Sequence, residues 1–291
     1  MLSIKQILVP VDFSDRCLGM MRYVRSVAHA YGSQVTLLHV VNPFYTIPAT
    51  GISGPAMIQI SPTILVEKSK ELDQFAAAEL EGIPVRRFVY EGDTVAQIAE
   101  FTKAEHVDLI AMPTHGYGVL RRFLIDSVTA KVLHDIPVPI LTGVHVDEHT
   151  ALHFVERSNL LCAVDLGPQS QEVLEWAAQM AKDLGAKLGI VHVAASINPK
   201  IANFISPDTE AEMKKKALDE IAKLQKAARA EAATVYIEKG DAPKTVCAVA
   251  AASSAGLLVI GRGTLIEDEA GRLRTNAYAM IRQSPCPVIS I

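Results

Sequence analysis

The stretch ILVPVDFSD (7–15) returns 153 residues later as LLCAVDLGP (160–168). Each copy is a short apolar run that ends on Asp and then on turn-forming residues, the pattern of a buried strand feeding a helix N-terminus. The echo continues down the chain. VTLLHVVNP (35–43) matches LGIVHVAAS (188–196) at the same offset, so that Asp12 pairs with Asp165 and His39 with His192. Three later blocks match at an offset of 148: YEGDTVAQIA (90–99) with EKGDAPKTVC (238–247), VDLIAMP (107–113) with AGLLVIG (255–261), and PVPIL (137–141) with PCPVI (285–289). Five blocks kept in order at two constant offsets define a duplication. The expected domains are 1–147 and 154–291, with a linker near 147–157 (DEHTALHFVER).

Each copy alternates strand and helix. After the first strand comes a helical stretch, DRCLGMMRYVRSVAHAYG or QSQEVLEWAAQMAKDLG, with Gly32 and Gly185 placed as C-terminal glycines. A second strand, a long loop and a charged amphipathic helix follow; in the second copy that helix is expected over 208–231. Then come a strand (RRFVYEG; ATVYIEKG), a helix from Thr94 or Ala242, a buried strand, a helix from about Ser127 or Thr275, and a last strand. The alternation, with near-continuous apolar strands, implies an α/β fold: a parallel sheet covered by helices on both faces. Ligands of such sheets bind beyond the carboxyl ends of the strands, where the strand order reverses.

The bulk numbers narrow the partners. Of 291 residues, 49% are hydrophobic and 21% charged, which fits a soluble globular protein. A net charge of −4 gives no basic field for nucleic acid or an anionic membrane. No apolar run is long enough to span a bilayer, and the start reads as a strand rather than a signal peptide. The four cysteines, Cys17, Cys162, Cys247 and Cys286, are widely spaced without a CxxC, so reduced thiols and a cytoplasmic location are expected. His145, His149 and His153 are spaced by four and would share one face of a helix, but the segment joins a strand to the next domain, and no metal site is assigned to them.

Neither copy has a P-loop, a G-x-G-x-x-G after its first strand, or a nucleophile elbow. The glycine-bearing loop comes after the fourth strand instead, as MPTHGYGVLRRFLIDS (112–127) in the first copy. At this point the chain resembles a known family. VPVDFS, LLHV on the second strand, EGD before the third helix, THG after the fourth strand and PVPIL at the end are similar to the universal stress proteins, twice in tandem over nearly the whole chain. The resemblance implies an open, five-stranded, Rossmann-like parallel sheet in each domain. It also implies pairing of domains through their last strands, and in some members a bound ATP or AMP.

Nucleotide-binding members carry G-x-x-G, nine residues and then G-(S/T) after the fourth strand. The glycines admit phosphate close to the backbone N–H groups, and the last pair opens a helix whose N-terminus attracts anions. This chain places Pro113, Gly116, Asp126 and Ser127 at those positions in the first copy, and Gly261, Thr264, Arg274 and Thr275 in the second. Pro113 has no N–H to offer, and the Asp126 carboxylate repels phosphate while suiting a helix cap. Arg274 adds bulk but also a guanidinium that suits phosphate.

Carried over residue by residue, the resemblance implies a candidate nucleotide site of Asp12, Val40, His115, Gly116, Ser127 and Val128 in the first copy. In the second it implies Asp165, Val193, Gly261, Arg262, Gly263, Arg274 and Thr275. Bland readings stand beside these: an Asp after a strand caps a helix, a Val there is core, and His39 and His192 are half-buried histidines bonded locally. Arg121, Arg122, Arg262, Arg272 and Arg274 read as phosphate contacts, as a partner surface or as a solvated loop face. With both loops impaired, the leading reading is a stress-response protein that works through interaction surfaces and self-association through its C-terminal strands (137–146 and 285–291). The alternative is a regulatory module that binds ATP or AMP in one copy. A slow ATP hydrolase ranks below both, because no water-positioning group or metal clamp is identifiable. A phosphoacceptor receiver domain would need an Asp after its third strand, and the first copy, which offers Asp12 and Asp15 after its first strand, has none just after the comparable strand.

Overall fold

The computed structural model describes residues 2–43, 61–114, 127–143, 159–195, 207–262 and 275–291. The chain forms two compact units, one built on Ser3–Leu141, which holds all of the first copy's elements except the last two residues of its final strand, and one built on Leu152–Ile291. The first runs β1 (Gln6–Pro10), α1 (Asp15–Tyr31), β2 (Gln34–Val41), α2 (Pro62–Gln74), β3 (Val85–Glu91), α3 (Thr94–Ala104), β4 (Leu109–Pro113), α4 (Ser127–Asp135) and β5 (Ile140–Gly143). The second repeats the order as β6 (Asn159–Ala163), α5 (Ser170–Asp183), β7 (Lys187–Ala195), α6 (Pro207–Ala228), β8 (Thr234–Gly240), α7 (Ala242–Ala252), β9 (Leu257–Ile260), α8 (Thr275–Gln283) and β10 (Val288–Ser290). The expected α/β fold with a parallel five-stranded arrangement in each copy is what the chain adopts.

Within each unit the first strand lies in the middle. The order is β3-β2-β1-β4-β5 in the first and β8-β7-β6-β9-β10 in the second. The registers repeat: Gln6 faces Gln34 as Asn159 faces Lys187, and Ile7 faces Leu109 as Leu160 faces Leu257. The strands β4 and β9 beside the middle one are apolar along their whole length, and every residue of both is buried, because helices cover both faces of the sheet. The strand order reverses between β1 and β4, and between β6 and β9, which opens a crevice at their carboxyl ends.

Local chemistry fixes the ends of the helices. Asp93 caps α3 by accepting from the Ala96 N–H at 2.9 Å, and Asp241 caps α7 by accepting from the Lys244 N–H at 3.1 Å. Gly32 and Gly185 follow α1 and α5 in the left-handed region, at φ 60° and 64°. Helix α6 stops at Ala228, three residues short of the expected end. There Arg229 turns to φ 53°, the Ala230 N–H returns to the Gln225 carbonyl at 2.8 Å, and the Gln225 side chain donates to the carbonyls of Ala230 and Ala233.

The repeated histidines tie the first two strands of each unit together beyond the ladder. His39 Nδ1 meets the Val11 carbonyl at 2.8 Å, and His192 Nδ1 meets the Val164 carbonyl at 2.9 Å. A carbonyl only accepts, so Nδ1 carries the proton in both. Each therefore bonds locally, as expected for a half-buried histidine at a strand end. Burial holds the pKa of His39 below the usual histidine value; Lys68 adds to this, while the bond to Val11 and the carboxylates of Glu71 and Asp12 oppose it. All four cysteines are buried free thiols, and burial pushes Cys17 and Cys162 up to about 12. Among the described residues no helix is long and apolar enough to cross a membrane.

Two outcomes follow from these contacts. Asp93→Ala and Asp241→Ala should each lower unfolding free energy by about 1 kcal/mol in urea titrations, and additively, since the caps belong to separate units. His39 is depressed in the folded state, so its share of stability is intact above the unfolded value of about 6.5 and is lost as the pH falls below it. His39→Asn, which can still donate to Val11, should therefore lose less stability than the unchanged chain between pH 8 and pH 5.5, as read from urea midpoints.

Candidate functional site

Both units leave their first strand through the same turn. Asp12 Oδ1 accepts from the Ser14 N–H at 3.0 Å and from Ser14 Oγ at 2.6 Å. Ser14 Oγ in turn accepts from the Cys17 N–H at 3.1 Å and caps α1. Asp12 thus orients the capping hydroxyl and is not itself the cap. Asp165 Oδ1 accepts from the Gly167 N–H at 2.8 Å, the equivalent bond, and from Ser170 Oγ at 2.9 Å. In this copy the N-cap of α5 is Gln169, which makes no side-chain bond to the helix. The residue after each Asp is forced to positive φ, 60° at Phe13 and 62° at Leu166, a conformation that costs a bulky side chain about 1 kcal/mol or more. Both carboxylates are exposed at the mouth of the crevice.

In the second unit that crevice is a cleft of about 330 Å³. Its floor is Ala163 and Val164 at the end of β6, Val191 and Val193 on β7, and Ile260 and Gly261 at the end of β9. One wall is Asp165, Gln169, Ser170 and Val173 from the β6–α5 turn, and the other is Ala242 and Val246 of α7 with Asn276, Ala277 and Met280 of α8. Arg262 also lines it; the Arg262 N–H is held by the Ile291 carbonyl at 2.8 Å. Burial draws the Arg262 pKa below the usual arginine value, and Tyr278 opposes this. The cleft is apolar along the strands, acidic at the β6–α5 side, and basic at the β9 side. Its volume is at the low end of ligand pockets, roughly 300–1,000 Å³.

At the same places the first unit carries bulkier side chains. Met20 stands where the second has Val173, Leu38 where it has Val191, Ile98 where it has Val246, and Pro113 where it has Gly261; these four are buried. Thr129, in place of Ala277, donates from Oγ1 to the Pro113 carbonyl at 3.1 Å and joins α4 to the end of β4. Above them the Phe13 ring lies 4.6 Å from His39 and 5.5 Å from Phe75, with Lys68 Nζ 4.8 Å from its centroid. Three positions go the other way: Arg262 replaces Thr114, Asn276 replaces Val128 and Met280 replaces Val132.

The structure thus brings Asp165, Val193, Gly261 and Arg262 together around one cleft. Asp12 and Val40 occupy the equivalent strand ends of the first unit, and Val128 sits in the first turn of α4. Ser127 and Thr275 are the first residues of α4 and α8. His115, Gly116, Gly263 and Arg274 lie outside the described residues, as do Asp126, Thr264, Arg121, Arg122, Arg272 and the linker histidines. Sequence reasoning missed Gln169, Ser170, Asn276 and the small residues Ala163 and Ala277. The signal was available: pairing the copies position by position at the two offsets shows Val173, Val191, Val246, Gly261 and Ala277 where the first copy has Met20, Leu38, Ile98, Pro113 and Thr129.

Comparisons agree on the lineage. The model of the universal stress protein family matches residues 3–142 and again 156–291. A universal stress protein of Methanocaldococcus jannaschii is 30% identical over 140 residues, spanning 47% of this chain and 80% of its own length. One from Synechocystis is 29% identical over 140 residues, spanning 47% of this chain and 83% of its own. The crystal structure of a universal stress protein from Archaeoglobus fulgidus superposes with a TM-score of 0.68, at 24% identity, over 99% of this chain and 96% of that one, a likeness of fold. With the family model matching twice in tandem over most of its residues, the chain belongs to the universal stress protein family.

Proposed function

We propose that the two halves of this universal stress protein do different work. The second unit is a regulatory site that takes an adenine nucleotide, ATP or AMP. The first is a closed unit that acts through its surface in a stress response. The observation that carries the reading is the cleft at the carboxyl ends of β6 and β9, where Asp165, Val193, Gly261 and Arg262 meet. A glycine at the end of β9 and the start of α8 alongside it suit a phosphate, and Arg262 supplies a cation. The Pro113 carbonyl bound by Thr129 favours the surface role for the first unit. Self-association through the last strands belongs to the same proposal, on the strength of their apolar sequence. Asp165 is the one carboxylate among the described residues lining the cleft and already accepts from Gly167 and Ser170, which favours binding over hydrolysis.

Calorimetric titration of the purified chain with AMP and ATP, after denaturing a sample to identify any released nucleotide, tests the reading. One nucleotide per chain is expected. Val173→Met with Ala277→Thr, which installs the first unit's residues, should weaken binding by roughly tenfold or more while the thermal midpoint is held or raised. If the unchanged chain neither releases nor binds nucleotide, the proposal is overturned.

A further inference from the structure

Among the described residues of the cleft, one polar atom is not accounted for by the fold. Gln169 Oε1 is buried and has no hydrogen-bond partner. A carbonyl buried in this way costs free energy unless a donor reaches it, and most such groups in proteins do find one. Helix geometry does not explain the residue either, because at the N-cap of α5 it makes no side-chain bond to the helix. Ser, Thr, Asp or Asn would serve better there. Its neighbour Ser170 is turned to Asp165 Oδ1 at 2.9 Å, so the nearest hydroxyl of the turn is committed elsewhere. Gln169 does line the cleft. In the first unit the position is Arg16, which has donors and no acceptor, so this feature belongs to the second unit alone.

The cleft therefore has hydrogen-bond acceptors on its β6–α5 side, Asp165 and Gln169, and a cation on its β9 side, Arg262. A ligand that satisfies both sides carries donors at one end and an anion at the other. Resting on the nucleotide reading above, we infer that Gln169 is a specificity residue of this site, its Oε1 accepting a hydrogen bond from a sugar hydroxyl of the bound nucleotide. The second unit then separates a ribonucleotide from its deoxy counterpart through a residue that the first unit lacks.

The test titrates the full chain with AMP, 2′-deoxy-AMP and 3′-deoxy-AMP, in the unchanged protein and in Gln169→Leu and Gln169→Glu. The unchanged chain should prefer AMP to one deoxy analogue by roughly 5–50-fold, the range for one buried hydrogen bond. Gln169→Leu should bind AMP and that analogue alike, and Gln169→Glu, which keeps an acceptor, should restore the preference. Without ligand, Gln169→Leu should melt at or above the temperature of the unchanged chain, because it removes an unsatisfied buried acceptor. If AMP binds and Gln169→Leu keeps the discrimination, or if that variant melts well below the unchanged chain, this inference fails and the nucleotide reading stands. If AMP does not bind the unchanged chain at all, the nucleotide reading fails and this inference fails with it.

Discussion

A parallel strand cannot return to its neighbour's starting edge without a crossover, and here each crossover is a helix laid on the sheet. That constraint organises each unit. It buries β1, β4, β6 and β9 on both faces, and it places the first strand in the middle with connections leaving in opposite directions on its two sides. Between β6 and β9 the strand connections leave in opposite directions. The Asp turn after the first strand, the end of the fourth strand and the first turn of the last helix all arrive there for topological reasons, whatever side chains they carry.

What those side chains do has diverged between the copies. The Asp-X turn is kept in detail, down to the N–H of the second residue on and the positive φ of the residue between. Keeping a strained backbone in both copies shows that the turn is over-determined by the strand ends around it. The walls changed instead. Met20, Leu38, Ile98 and Thr129 give way to Val173, Val191, Val246 and Ala277, each a loss of one or two heavy atoms. Packing at native density leaves no slack, so a few such losses facing one space add up to a cleft and not to a looser core. The polar exchanges concentrate at the same place, with Arg262, Asn276 and Gln169 around the volume that the smaller residues open.

Much of this was legible in the sequence because it is local. Asp93 and Asp241 precede their helices, Gly32 and Gly185 follow theirs, and His39 and His192 stand where a strand end leaves a carbonyl in reach; each depends on neighbours a few residues away or on one paired strand. The end of α6 was misjudged because Arg229 and Gln225 break the helix with no Gly or Pro to mark it. The role of Asp12 was half legible: its place at the helix start was clear, but the capping atom belongs to Ser14.

The sequence by itself determined the duplication, the α/β class and the parallel sheet, because hydrophobic period and repeat offset encode topology directly. Only the tertiary structure showed the cleft that the described residues of the second unit line. That volume is bounded by residues of β6, β7, β9, α5, α7 and α8, more than a hundred positions apart along the chain, and no local pattern records whether side chains so distant in sequence meet or leave a gap.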